Sequence, residues 1–437
     1  MKNVILHAFN WSYQLIAERA EDIAKAGYGA VLFPPPLYSE ESGQAWWQVY
    51  QPKDYRVLRS HLGRKADIVK AIQTLKQVSV QCYADIVFNH MANESRADRF
   101  QFPGRDTLAQ YARDPSFRAD QLYGDLSLGL FDEHDFHPDR NIVDWTDDDE
   151  VVDRELSGLP DLVLSIAVVQ EQIECLEHLI DLGFDGFRAD AVKHLPVDHV
   201  TSVFQSKVLA GKYVFGETLT FDRDQNVKFL WPLMQETTIA CYDFPLQQTM
   251  KQAFQMGGSL RALVDPAAYG NALPWYRAVT FTATHDVPNN NGFRGMLLDP
   301  QDEYLANAYV LGRDGGVPLI YSDHGESAGR HPEDEGRWHE CWNRYDIVQM
   351  IGFHNAVQGM PQRSLWEDDG FFVFARGDKG IVAINKTDHW VSPTISTYGL
   401  CWGPYRCQIH QHQMQVEGDW FQFSIPPRQA QLWLFQG

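Results

Sequence analysis

The chain has 437 residues, 44% hydrophobic and 22% charged, a globular mixture that excludes disordered and fibrous chains and allows two or three domains. Thirty-seven Lys and Arg against 58 Asp and Glu leave a formal charge of −21, a field that repels nucleic acid and anionic lipid and suits neutral substrates and bound cations. No apolar run approaches the roughly 18 residues that cross a bilayer, and residues 4–9 are too short for a leader core. Membrane and nucleic-acid partners are therefore not expected, while a cytoplasmic monomer is. Six cysteines without CxxC spacing argue against a zinc site or a disulfide scaffold and for free thiols.

Along the chain, residues 4–9 read as a strand, 15–26 as a helix ending at Gly27, and 30–33 as a strand stopped by Pro34, Pro35 and Pro36. A helix over 68–76 precedes a strand over 78–87. After a long break come a helix over 168–182, ending at Gly183, and a strand over 186–188. Further strands are expected at 213–215, 239–242, 278–282 and 317–321, with helical stretches between most of them. Strands alternating with helices in this number predict an α/β protein, a closed (β/α)8 TIM barrel.

Two regions break the alternation. Residues 91–156 are polar and irregular, with Pro103, Gly104, Pro115 and Pro138. Their acidic run Asp147, Asp148, Asp149 and Glu150 suits a solvated face or a helix N-terminus. So long an excursion after strand three points to function. From about Met360 the period becomes two, at 371–374 and 381–384, which predicts a C-terminal antiparallel β-sandwich domain. The expected organisation is a barrel of 1–90 and 157–358, an excursion 91–156 and a β domain 359–437.

In such a barrel the residues ending each strand face one pocket, and here those positions are polar. Asp85, Asn89 and His90 follow strand three; Arg188 and Asp190 end strand four; Glu217 ends strand five; His285 and Asp286 end strand seven. Asp190, Glu217 and Asp286 would then converge. Carboxylates sharing a desolvated site push one pKa up, which leaves a proton donor beside an ionised partner. One can attack an anomeric carbon while the other protonates the leaving oxygen, the retaining-glycosidase arrangement with carboxyls roughly 5–5.5 Å apart. Arg188, two residues before Asp190 on a strand, points to the same side and can hold it ionised.

These segments resemble, in order, the short motifs of the α-amylase family, glycoside hydrolase family 13. The stretch Ala45-Trp46-Trp47-Gln48-Val49-Tyr50-Gln51-Pro52 is similar to the sugar-stacking loop of animal-type members. Leu159-Pro160-Asp161-Leu162 resembles the calcium-side motif, and Gly316-Val317-Pro318-Leu319-Ile320-Tyr321 the eighth strand. The resemblance implies Asp190 as nucleophile, Glu217 as general acid/base, and Asp286 as the residue that binds the 2- and 3-hydroxyls of the distorted sugar. It further implies Tyr50 stacked under that sugar and His90, Arg188 and His285 bonding it or orienting the acids. Lys193 and His194 would lie on the leaving-group side, and Trp46, Trp47 and Gln51 on the glycone side. Calcium is implied between barrel and excursion, held by side-chain oxygens of Asn89 and Asp161 and backbone carbonyls of Val152 and His194.

Two departures stand out. Thr284 occupies the place of the Asn that helps animal-type members bind chloride, so chloride is not expected. Residues 287–291 read Val-Pro-Asn-Asn-Asn, unlike the usual continuation, so the leaving-group side differs. The implied activity is retaining endo-hydrolysis of α-1,4-glucosidic bonds in starch, glycogen or maltooligosaccharides. The alternatives are an α-glucan transglycosylase with the same triad, or a non-catalytic glucan-binding protein on the same barrel.

Overall fold

The computed structural model describes residues 2–94 and 99–437; residues 95–98 of the expected excursion lie outside the described residues. Eight strands pair in parallel into a closed barrel: Ile5–Ala8, Ala30–Phe33, Gln81–Ile86, Gly186–Ala189, Tyr213–Gly216, Ala240–Tyr242, Ala278–Thr280 and Val317–Ser322. Strands one, two and four are buried along their whole length, as parallel strands covered on both faces must be. The eight are those the chain pattern predicts, with ends that coincide or differ by at most three residues. Residues 78–80 leave the third strand because Val78 caps the preceding helix and Ser79 adopts φ 59°.

Packing divides the chain into two compact units. One comprises Ala8–Glu21 and Ala30–Tyr242. Its helix Ile166–Leu182 buries Val168, Gln172, Cys175, Leu176 and Leu179, the one-sided stripe of a helix lying on a sheet. Ser165 caps it at the start and Gly183, at φ 125°, ends it. The excursion belongs to this unit and is less irregular than expected. It carries helices Arg105–Arg113, Ser116–Asp120 and Asp148–Asp153. The acidic run is the start of the last of these: Asp147 accepts from the backbone N–H groups of Asp149 and Glu150. Tyr38, Val57, Tyr111, Phe117 and Leu126 form a separate small core under it.

The other unit comprises Met1–His7, Asp22–Gly29 and Asp243–Gly437. Its C-terminal portion contains a six-stranded antiparallel sheet and a separate antiparallel ribbon of Thr394–Ser396 with Trp420–Gln422. Phe371–Arg376 and Gly380–Asn385 are buried at every position, so the period-two pattern locates these strands without marking a wet face. Helix Pro300–Gly312 covers one side so closely that a Cβ on Gly312 would come within 3.0 Å of Val382. Arg376, 1% exposed, carries a buried cation into this interface. Its guanidinium donates to the carbonyls of Gly312 and Arg313 (2.5 and 2.6 Å), Val357 and Met360 (both 3.0 Å). These oxygens terminate two helices, Pro300–Gly312 and Tyr345–Ala356, where a positive charge meets the negative end of each dipole. Lys386 does the same for Phe244–Phe254, donating to the carbonyls of Ala253, Gln255 and Gly258.

All six cysteines are free, and among the described residues no helix is long and apolar enough to cross a membrane. Replacing Arg376 with Met strands several buried carbonyls without a donor. At about 1–3 kcal/mol for each unsatisfied group, Arg376→Met should lower the unfolding free energy by at least about 3 kcal/mol, read as a reduced urea midpoint.

Candidate active site

The C-terminal ends of strands three, four and five carry a connected polar cluster within one unit. Arg188, mid-strand in Gly186–Ala189, is wholly buried. Its Nη1 lies 2.7 Å from both Asp85 Oδ1 and Asp190 Oδ1, and its Nη2 lies 2.7 Å from Glu217 Oε2. Such planar, multidentate pairing is what a guanidinium can do and an ammonium cannot. Tyr50 continues the chain by donating to Asp85 Oδ2 at 3.0 Å. The faces of Tyr50 and Tyr242 sit 5.9 and 5.8 Å from the guanidinium carbon, within cation–π range.

Three acids against one cation determine the charge state. If Asp85, Asp190 and Glu217 were all ionised, a buried site would hold two uncompensated negative charges, which burial does not tolerate. Burial pushes Asp190 above the usual carboxylate range, with Arg188 pulling the other way. Burial also lifts Asp85 to about 7, opposed by Arg188 and reinforced by Asp190. The cluster therefore retains a proton at neutral pH.

Local backbone geometry supports this arrangement. After Asp190 the chain turns through Ala191 in the left-handed region, φ 51°, at the start of the turn Val192–His194. The turn is stitched to strand five: Glu217 N donates to Ala189 O at 2.9 Å, and Lys193 N donates to Glu217 O at 3.3 Å. The Ala191 N–H points at Glu217 Oε2 from 3.5 Å, the same oxygen that meets Arg188. Gly216 makes this approach possible, since a Cβ there would stand 2.9 Å from Val192 Cγ2 and 3.2 Å from Ile239 Cδ1.

The remaining expected residues distribute as follows. Trp46, Trp47 and Tyr50 occupy one 3-10 turn, with Gln51 closing it. Trp46 packs edge-on to Phe9 and Tyr50, whereas Trp47 is 41% exposed. His90 is buried with Nε2 3.0 Å from Tyr50 O; burial depresses its pKa to about 4, so it is neutral. Lys193 Nζ sits 4.5 Å over the Phe229 ring and 3.4 Å from Gln225 Oε1, and burial lowers its pKa to about 8. His194 is buried, its Nδ1 2.9 Å from Val151 O. In the other unit, His285 and Asp286 follow strand seven at the start of helix Asp286–Asn289, with His285 Nε2 3.7 Å from Asp286 Oδ2.

The implied calcium ligands share one unit. Asp161, 1% exposed, takes the Asn89 side-chain amide on Oδ1 at 2.9 Å and His137 Nδ1 on Oδ2 at 2.7 Å. Burial raises Asp161 to about 7, with the His137 contact pulling the other way. The bond from His194 to Val151 ties the stretch bearing the Val152 carbonyl to the one bearing the His194 carbonyl. Among the described residues no three His, Cys, Asp or Glu side chains are grouped to hold a metal. The available set is one carboxylate, one carboxamide and backbone carbonyls, hard oxygen donors that fit calcium and not a transition metal.

The sequence pattern does not reveal the Tyr50–Asp85–Arg188 chain or the pairing of His137 with Asp161, because these partners are 35, 103 and 24 residues apart. Gly216, directly before Glu217, is the one local signal available for the tight turn.

Asp85 gives a pH prediction. Its folded pKa, about 7, stands above the ordinary aspartate value of 3.8, so the folded state holds the extra proton between them. The corresponding stability is complete below about pH 4 and is lost as pH rises through about 7. Urea midpoints should decline over that window, and Asp85→Asn should flatten the decline.

Comparison with known proteins follows the same line. The catalytic-domain model of the alpha amylases matches residues 14–246. An alpha-amylase of Aeromonas hydrophila is 42% identical over 445 residues, covering 98% of this chain and 95% of its own. One from Thermomonospora curvata is 28% identical over 98% of this chain and 73% of its own. The crystal structure of alpha-amylase I from Eisenia fetida shares the fold at a TM-score of 0.80 and 22% identity, over 99% of this chain and 97% of that one. With the family model spanning more than half of the chain and a relative of this identity along nearly all of it, the protein belongs to the alpha-amylase family of glycoside hydrolases.

Proposed function

We propose that this protein is an endo-acting α-amylase that cleaves α-1,4-glucosidic bonds in starch, glycogen or maltooligosaccharides with retention of configuration. The observation that carries the reading is Arg188 shared among Asp85, Asp190 and Glu217, an arrangement that keeps one acid ionised beside another that retains a proton. Asp190, with its oxygen on Arg188, attacks the anomeric carbon. Glu217 gives its proton to the departing glycosidic oxygen, so the glucan leaves as an alcohol and not as an alkoxide. Oε2 of Glu217 already receives Arg188, which leaves Oε1 to carry the proton. The Glu217 carboxylate then takes a proton from water, the resulting hydroxide attacks the same carbon, and Asp190 departs. Two inversions amount to retention.

Asp286 binds the 2- and 3-hydroxyls of the distorted ring, where its charge counts most in the oxocarbenium-like transition state. Tyr50 stacks beneath that sugar, its hydroxyl held by Asp85. His90 and His285 bond to it, Trp46, Trp47 and Gln51 extend the glycone side, and Lys193 and His194 line the aglycone side. The barrel residues 1–90 and 157–358 bear this chemistry, with 91–156 as the excursion and 359–437 as the β domain.

Asn89, Asp161 and the carbonyls of Val152 and His194 would hold calcium, which would add positive charge beside the buried Asp161 carboxylate. Here it braces the excursion and takes no part in bond cleavage. At a hundredfold excess over its Kd, calcium should add about 2.7 kcal/mol of stability. The check is the melting temperature in chelator and after calcium is restored; Asp161→Asn should lose the response.

The decisive measurement is turnover of a chromogenic maltooligosaccharide. Asp190→Asn and Glu217→Gln should each lower kcat by on the order of 10⁴-fold with an unchanged circular dichroism spectrum, and the wild-type product should appear first as the α-anomer. Normal turnover by Asp190→Asn, or a β-anomeric product, would overturn the assignment. Longer oligosaccharides dominating the products of maltotriose would replace hydrolysis with transfer.

A further inference from the structure

A cavity lies within the unit that contains strands seven and eight. It measures about 270 Å3 and is walled by those strands, helix Pro300–Gly312 and helix Tyr345–Ala356. That is just below the roughly 300–1,000 Å3 of drug-sized sites, and it is room for about nine waters at their liquid volume. Its interior is unusually polar for an interlayer space in a barrel. Thr282, Glu303 and Asn307 face it, each no more than 8% exposed, alongside Tyr304, Tyr321 and Trp338.

The internal charges cancel locally. Glu303 accepts from Arg337 Nε at 2.6 Å and Trp338 Nε1 at 2.8 Å, and Arg344 Nε donates to Asp346 at 2.7 Å. Other hydrogen-bonding capacity is left over. Among the described residues the Asn307 NH2 group and the terminal nitrogens of Arg344 donate to nothing, while Asn307 Oδ1 accepts only from Thr282. Glu333 and Glu335 also line the space and disfavour an anion. Paired charges, spare donors and an indole wall together describe a site for a small, neutral, polyhydroxylated molecule.

We propose that this cavity binds a single hexose, glucose in the first instance, as a product-sensing site distinct from the catalytic residues. The choice of glucose over other polyols rests on the amylase reading above, since amylolysis releases such sugars. The cavity also has a physical route to the chemistry. Tyr321, in its wall, accepts at its hydroxyl from Asn289 Nδ2 at 3.0 Å, and the same amide donates to His285 O at 2.8 Å. His285 directly precedes Asp286. A sugar that reorients Tyr321 therefore acts on the segment that positions Asp286.

The test uses the full-length Asp190→Asn chain, which cannot turn substrate over, with its catalytic cleft saturated by a non-hydrolysable thio-maltooligosaccharide. Titration with glucose should still show one binding event. Asn307→Leu, which removes the amide, and Arg344→Ala, at the more exposed side of the cavity, should each weaken it at least tenfold and leave thio-oligosaccharide binding unchanged. In otherwise wild-type enzyme, glucose should lower kcat, and Asn307→Leu should relieve that inhibition without altering the uninhibited rate. Absence of glucose binding once the cleft is filled would mean a water-filled cavity and overturn the proposal, as would undiminished affinity in both variants. Glucose binding by a wild-type protein that releases no reducing ends from starch would overturn the amylase reading and not the site.

Discussion

The interaction on which the site depends is one fully buried guanidinium shared among three carboxylates. Arg188 meets Asp85, Asp190 and Glu217 at the same 2.7 Å, and among the described residues no other cation contacts all three. Taking an arginine out of water is expensive unless it is paired; here three carboxylates and the faces of Tyr50 and Tyr242 surround it, while its Nε makes no hydrogen bond to the described residues. The deficit of one positive charge against three negative ones is the functional part of the design. It keeps a proton in a place where ordinary carboxylates would have lost it, and it couples each acid's ionisation to its neighbours'.

Rigid surroundings make that electrostatic balance reproducible. Strands four and five are locked by Glu217 N to Ala189 O and by Lys193 N to Glu217 O, and the left-handed Ala191 bends the chain back over Glu217. A backbone in that region persists only when its environment over-determines it, and the absence of a side chain at Gly216 supplies the room. The same economy appears in the other unit, where Arg376 and Lys386 from the β domain fasten the ends of three helices through bare carbonyl oxygens. In both units a buried arginine with several acceptors does much of the joining, and at Arg188 and Arg376 a lysine would not reproduce the geometry.

Much of the architecture was legible along the chain. Short, mostly apolar strands alternating with one-sided helices imply a parallel sheet covered on both faces, and helix ends at Gly27 and Gly183 are marked by the residue that best tolerates the left-handed region. The acidic run at 147–150 allowed either a solvated face or a helix N-terminus, and the structure makes it the latter, with Asp147 as the cap. The excursion was legible only as a break in pattern: its helices are short, and its small aromatic core joins residues from Tyr38 to Leu126, contacts that no local periodicity encodes. The C-terminal strands were legible as strands but not as doubly buried ones, since covering by a helix is a property of the packing.

What the sequence by itself determined is the inventory: which strands exist, which acids and histidines stand at their ends, and the family to which those motifs point. Only the tertiary structure decided what each charge experiences. Arg188 and Asp85 lie 103 residues apart, and His137 and Asp161 lie 24 apart on an irregular path. Protonation depends on burial and on the sign of neighbours a few ångströms away, and those distances exist only once the chain has closed on itself.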